Sequence, residues 1–190
     1  MEKNITQEYS KQFEKVLDND EKVLGVFKPH KGKFFISNII LVSLCLLMFA
    51  VPGIIACLCP EEGLEPSIIG AIIVGAIYVF CVLVEVLFAA IYYKNLYYAY
   101  TNKRVIVRSG IFGVDFKSLD MSMIGAINVY VSVIDKIVNK DTGTVTFGSM
   151  ASPMYNANGG SNYKFAHIKM PYEICKEIKA KIDEFKKEIK

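Results

Sequence analysis

Histidine is nearly absent from this chain, and that scarcity excludes several chemistries at once. The only two, His30 and His167, stand far apart, and neither has a cysteine or carboxylate at metal-ligand spacing. A His-dependent nucleophile is equally short of partners, since Ser149 sits in Phe-Gly-Ser-Met rather than in a nucleophile elbow. Asn158-Gly-Gly-Ser161 lacks the lysine and following helix of a phosphate-binding loop. No catalytic set, no metal site and no cofactor is therefore expected, and the chain is not read as an enzyme. The five cysteines are an odd number, Cys45, Cys57, Cys59, Cys81 and Cys175. Four fall in strongly apolar sequence, and C-x-C is a poor geometry for a disulfide, so they read as small hydrophobes. Net charge is a mild +3 and gives no argument for nucleic acid.

Charge is the second thing missing, and its absence is local. Phe34 to Cys59 contains none, and Ile68 to Tyr93 contains only Glu85. Neither run shows a polar face at the helical period, and each exceeds the roughly 20 apolar residues that cross a bilayer as a helix. A mean hydropathy of +0.33 fits a small membrane protein. The connector between the runs, Pro60 to Pro66, carries Glu61, Glu62 and Glu65 and no base. Lys28, Lys31 and Lys33 precede the first run; Lys94, Lys103, Arg104 and Arg108 follow the second. By the bias of Lys and Arg toward the cytoplasmic side, both termini are expected in the cytoplasm and the acidic connector outside. Tyr92, Tyr93, Tyr97 and Tyr98 suit an interfacial aromatic belt, and no cleavable signal peptide precedes Phe34. Pro52 and Gly53 are expected to bend the first helix, and Ala71-x-x-x-Gly75 to pack the second closely against it.

Outside these runs the pattern changes. Ile5, Tyr9, Phe13, Val16 and Leu17 trace one face of an amphipathic helix over residues 4–17, followed by a short strand in Lys22 to Lys28. After Tyr93 come short β-rich runs at Leu96–Thr101, Arg104–Ser109, Val114–Leu119, Ile124–Ser132, Thr144–Ser149 and Lys164–Lys169, separated by turn signals. Val133–Val138 is apolar and partly helical, and Met150 to Tyr163 reads as a loop. Pro171 opens a final helix whose Ile174, Ile178, Ile182, Phe185 and Ile189 form one stripe. The expected division is 1–33 for an N-terminal helix and strand, 34–93 for a transmembrane hairpin (34–59 and 68–93), and 94–190 for a cytoplasmic α+β domain able to fold by itself.

One stretch resembles a known family. Tyr98-Ala-Tyr-Thr101, Lys103-Arg104-Val-Ile-Val-Arg108-Ser-Gly110, Leu119 to Ile124, Asn128-Val-Tyr-Val131 and Thr142-Gly-Thr-Val-Thr146 appear in order after a two-span hairpin. Together they resemble bacterial membrane proteins with a pleckstrin-homology (PH)-like domain, the YdbS-like group. The resemblance covers about Lys33 to Phe185, the hairpin only in hydropathy, and the 150–163 loop is longer than the family pattern. It implies a split seven-stranded β-barrel capped by a C-terminal helix, a bacterial cytoplasmic (inner) membrane location, and no activity.

The functional expectation is a non-catalytic binding or scaffold protein at the cytoplasmic membrane face. Lys94, Lys103, Arg104 and Arg108 are its candidate binding residues, since anionic lipid attracts such side chains by ~1 kcal/mol each. In eukaryotic PH domains the corresponding hairpin often binds phosphoinositide headgroups. Its partners would be the bilayer, anionic lipid headgroups, and a protein partner or a second copy of the chain, with no nucleic acid. The rival expectation is a small oligomeric subunit of a transport or channel assembly, in which the hairpin and Glu85 carry the function.

Overall fold

The computed structural model describes residues 11–59, 67–138, 141–149 and 163–188. The element order is β1 (Val23–Phe27), α1 (Lys31–Leu58), α2 (Ile68–Asn95), β2 (Tyr97–Thr101), β3 (Arg104–Ser109) and β4 (Asp115–Asp120). A 3-10 turn (Met121–Met123), β5 (Ile124–Tyr130), α3 (Val133–Val138), β6 (Thr142–Ser149), β7 (Tyr163–Lys169) and α4 (Pro171–Glu188) complete it. Every β-rich run of the sequence is a strand, and the class is α+β. The expected N-terminal helix differs: residues 11–16 form turns, and residues 4–10 lie outside the described residues, as do the acidic connector 60–66, the 150–162 segment and Ile189.

The chain divides into two units, one formed by the residues before Phe34 and from Tyr92 onward, the other by Phe34–Ile91. In the first, the strands form two antiparallel sheets, ordered β1-β2-β3-β4 and β5-β6-β7. β1 is thus not a separate N-terminal element. It pairs with β2 through Val26↔Ala99 and Phe27↔Tyr98, across the whole intervening hairpin. In effect β1 and β2 are a β-hairpin whose loop is the α1–α2 pair.

Period-2 alternation explains why β2 is buried on both faces. Tyr97 and Ala99 face one way, into a cluster with Phe13, Val26 and Ile106. Tyr98 faces the other way and stacks on Phe165 at 5.0 Å, which meets Phe147 edge-on at 4.9 Å. The N-terminal segment therefore closes one face of the first sheet, with Phe13 fully buried against Phe116. Tyr97 and Tyr98 are accordingly core residues, Tyr98 being 2% exposed, and do not belong to an interfacial belt. α4 buries the stripe read from the sequence: Ile174, Ile178 and Ile182 are all interior.

In the second unit both helices are long and apolar enough to cross a membrane, and their apolar windows have no residue buried in protein. Phe49, Met48, Ile69 and Ile72 are largely exposed. Contact between the helices is made elsewhere than expected. Space beside Gly75 is open, whereas a Cβ on Gly53 would meet Val74 at 3.3 Å and one on Gly70 would meet Cys57 Sγ at 3.0 Å. Ser43 Oγ and Tyr78 Oη, 2.9 Å apart, pair their hydroxyls between the helices. That bond satisfies both groups in an otherwise apolar surface.

Candidate functional site

The residues that flank the hairpin are bonded into the sheet-bearing unit. Lys33, in the first turn of α1, is buried. Its Nζ lies 3.2 Å from Asp135 Oδ1 and donates to Ser132 Oγ at 2.8 Å. Asp135 also accepts from Ser132 N at 2.8 Å, from Ser132 Oγ at 2.6 Å and from Thr142 Oγ1 at 3.0 Å. Ser132 caps α3, since its Oγ takes the Asp135 N–H at 3.2 Å. Burial pushes the Asp135 carboxyl up, but the bonds from Ser132, Thr142 and Lys33 outweigh it and hold the group below the ordinary carboxylate range. Lys33, counted above among charges that set topology, is thus a structural ion.

His167 closes this corner. Its carbonyl accepts the His30 N–H at 2.6 Å, its φ is +56°, and its buried Nδ1 has no hydrogen-bond partner among the described residues. Burial keeps the imidazole neutral by lowering its pKa, with Lys33 and Lys164 acting in the same sense and Asp135 against it.

A second polar knot engages Arg104. Its Nε lies 3.0 Å from Glu21 Oε1, one terminal nitrogen lies 2.7 Å from Glu21 Oε2, and the same nitrogen donates to the Val16 carbonyl at 2.8 Å. Thr101 Oγ1 donates to Glu21 Oε1 at 2.6 Å, and the Asp18 N–H to Oε2 at 3.1 Å. Burial raises the Glu21 pKa, but the Arg104, Thr101 and Asp18 bonds overcome it and the net shift is downward. Arg104, a candidate binder by sequence, spends its guanidinium fork inside the protein, fastening the N-terminal segment to the β2–β3 turn.

The four candidate cations do not form one cluster. Arg104 and Lys103 sit at the turn end of β3, and Arg108 at the other, about 13 Å away for four residues of strand. Lys103 and Lys94 make no side-chain hydrogen bond or ion pair among the described residues, and Lys94 is exposed in the last turn of α2. The Arg108 guanidinium lies 5.4 Å from the Tyr97 ring centroid. Lys28, not singled out by sequence, shares that ring at 4.5 Å, lies 4.7 Å from the Tyr93 ring and donates to Tyr97 Oη at 3.2 Å. Tyr93 in turn donates to the Pro29 carbonyl at 3.0 Å. Glu85 belongs to the hairpin unit, where both its carboxylate oxygens are shielded and without a partner among the described residues.

Beside the Lys28–Tyr93 corner is a cleft of ≈ 710 Å³ between β1 and the start of α4. Residues 24–31 line one side and Lys169, Met170, Glu173, Ile174 and Glu177 the other. Its inner wall is Tyr100, which stacks on Phe27 at 5.9 Å and donates its hydroxyl to Glu177. Gly25 permits this wall, because a Cβ there would fall 2.4 Å from Tyr100 Cε1. Sequence pattern gave no sign of the cleft; its two sides are about 140 residues apart in the chain and meet only through the fold.

No group of three His, Cys, Asp or Glu able to hold a metal occurs among the described residues. No curated protein and no solved structure matches the chain. A family match does exist: the bacterial PH domain corresponds to residues 34–182, beginning just after β1 and ending within α4. With two antiparallel sheets and a capping helix over most of that span, the chain belongs to the bacterial PH domain family.

Proposed function

We propose that this chain is a non-catalytic recognition module, anchored in the bacterial cytoplasmic membrane by the α1–α2 hairpin, with the PH-like unit on the cytoplasmic side. The observation that carries the reading is the insertion of the hairpin between the paired strands β1 and β2. A binding unit on a single tether has one connection to the membrane; this one is connected through both helix ends. Phe27↔Tyr98 pairing also brings the start of α1 and the end of α2 together within the sheet-bearing unit, which supports a reading with both termini on one side of the membrane. Two helices with so much unburied apolar surface are compatible with lipid around them and support the anchored reading. Lys31 and Lys94, next to the spans in the chain, supply positive charge there, which supports an attraction for lipid headgroups.

The test is carbonate extraction of bacterial membranes followed by protease treatment of inverted vesicles and of intact cells. The reading requires the chain to stay in the carbonate pellet, with the sheet-bearing unit cut only in inverted vesicles. Release into the carbonate supernatant would end it.

A second reading, an oligomeric transport or channel subunit, draws on Glu85, a carboxyl within an apolar helix that has no hydrogen-bond partner among the described residues. Native mass of the full chain in mild detergent separates the two: a Glu85→Gln-sensitive oligomer favours this one.

A further inference from the structure

The cleft between β1 and α4 carries more than an empty volume. Its floor is apolar, with Val26, Phe27 and Ile174 among its residues, while its rim is charged in two senses. Lys28 and Lys31 lie on the β1 side and Lys169 at the end of β7; Glu173 and Glu177 lie one helical turn apart on α4. Lys31, Lys169 and Glu173 have no side-chain partner among the described residues, and Lys28 uses one of its three donors on Tyr97. Chain connectivity sets the depth of one end. Lys31 is the first residue of α1, three before the apolar run begins, and Tyr93 lies in the last turn of α2. Those two residues, both on the rim, stand at the two ends of the hairpin, and the anchoring proposed above would bring them to the headgroup layer.

We infer that this cleft is a binding site for a phospholipid headgroup bearing both a phosphate and a free ammonium, of the ethanolamine type. The inference rests on the membrane anchoring proposed above. The phosphate meets Lys28 and Lys31 near the spans, with Lys169 closing over it. The ammonium reaches Glu173, while Glu177 is held in place by Tyr100. The apolar floor takes the glycerol and the first methylenes. A headgroup with a phosphate and no ammonium would leave Glu173 without a cation, and a quaternary amine could not donate hydrogen bonds to it. The site thus selects among headgroups instead of simply attracting negative charge.

The test uses the full chain in lipid nanodiscs of choline phospholipid, alone or doped with ethanolamine phospholipid or with anionic glycerol phospholipid. Lipid retained on the protein is counted by native mass spectrometry. Ethanolamine lipid should be retained about tenfold over choline lipid, the preference expected from one charge-assisted contact. Lys31→Glu/Lys169→Glu should lower retention of ethanolamine and choline lipid alike, since both carry the phosphate, whereas Glu173→Lys should abolish the ethanolamine preference and turn retention toward the anionic lipid. Equal retention of ethanolamine and choline lipids by the unaltered chain, or an ethanolamine preference that survives Glu173→Lys, overturns the inference. Displacement of the lipid by inorganic phosphate alone would do so too, by making this a free-phosphate site. Carbonate extraction of each variant keeps the two readings apart: a chain that stays in the membrane but shows no selectivity loses the headgroup site alone.

Discussion

Lys33 and Asp135 form a buried ion pair, 3.2 Å apart with side chains 1% and 2% exposed, between the first turn of α1 and α3. The pair ties the last residue before the apolar span to the end of the second sheet. Removing one partner strands the other charge in a dry site, at a cost of about 3–5 kcal/mol. Lys33→Met and Asp135→Asn should each lower the denaturant midpoint of the full chain in detergent sharply. The double variant should lose less than the sum of the singles. Additive losses would show that the two groups do not interact.

The same pair makes a pH prediction. The folded Asp135 pKa lies below its unfolded value, so its contribution is complete above the unfolded pKa, about 3.9, and fades as pH falls through the folded value. Acid unfolding of the full chain should therefore steepen below about pH 4, and in Asp135→Asn that steepening should shrink. Thermal melts across that window read it directly, and an unchanged acid limb in the variant would refute it.

Arg104 and Lys103 are neighbours with opposite expected behaviour. Arg104→Lys keeps a charge but loses the fork that holds Glu21 and the Val16 carbonyl together, and should cost about 2–3 kcal/mol. Lys103→Glu, without a side-chain bond among the described residues, should stay within about 0.5 kcal/mol. Denaturant melts of the two variants compare them. If Lys103→Glu is the more damaging, the structural role given to Arg104 is wrong.

Excision of the hairpin tests where the domain begins. Residues 94–190 alone lack β1, Phe13, Glu21 and Lys33, and so lack an edge strand, one core face and both buried ion pairs. That fragment should not unfold cooperatively. Residues 1–33 joined to 92–190 by a short Gly/Ser linker restore all of them, and should show one cooperative transition with the urea dependence of a small domain. Equal cooperativity in both proteins would mean that β1 is dispensable.

Here the limits of the sequence are physical. Strands from β2 to β7 and the stripe of α4 were legible because period-2 and period-3.6 burial are local signals, carried by residues such as Val105, Val107, Ile174 and Ile178. The strand at β1 was visible too, but not its partner, since pairing across the hairpin leaves no local trace. Glu21 and Arg104 are 83 positions apart, and Lys33 is 99 from Ser132. Each of these lysines and arginines reads as a positive flank until the fold supplies its carboxylate. For the same reason the candidate site shifted: Arg104 is bound to Glu21, while Lys28 and Lys31 line a cleft with no pattern of its own.

Gly25 and Tyr100 give the last prediction. The Tyr100 ring lies against the β1 backbone at Gly25, stacked on Phe27 and tied through its hydroxyl to Glu177. An alanine at 25 brings its Cβ to 2.4 Å from Cε1, so the ring must move, and both tethers resist. Gly25→Ala should cost about 1–3 kcal/mol, the range for overpacking a filled site. Tyr100→Phe keeps the ring and removes only a bond to a carboxylate that water can reach, so it should cost about 1 kcal/mol or less. The double variant decides between tether and sterics. If Tyr100→Phe relieves most of the Gly25→Ala penalty, the Glu177 bond holds the ring in place; if it relieves none, packing against Phe27 does.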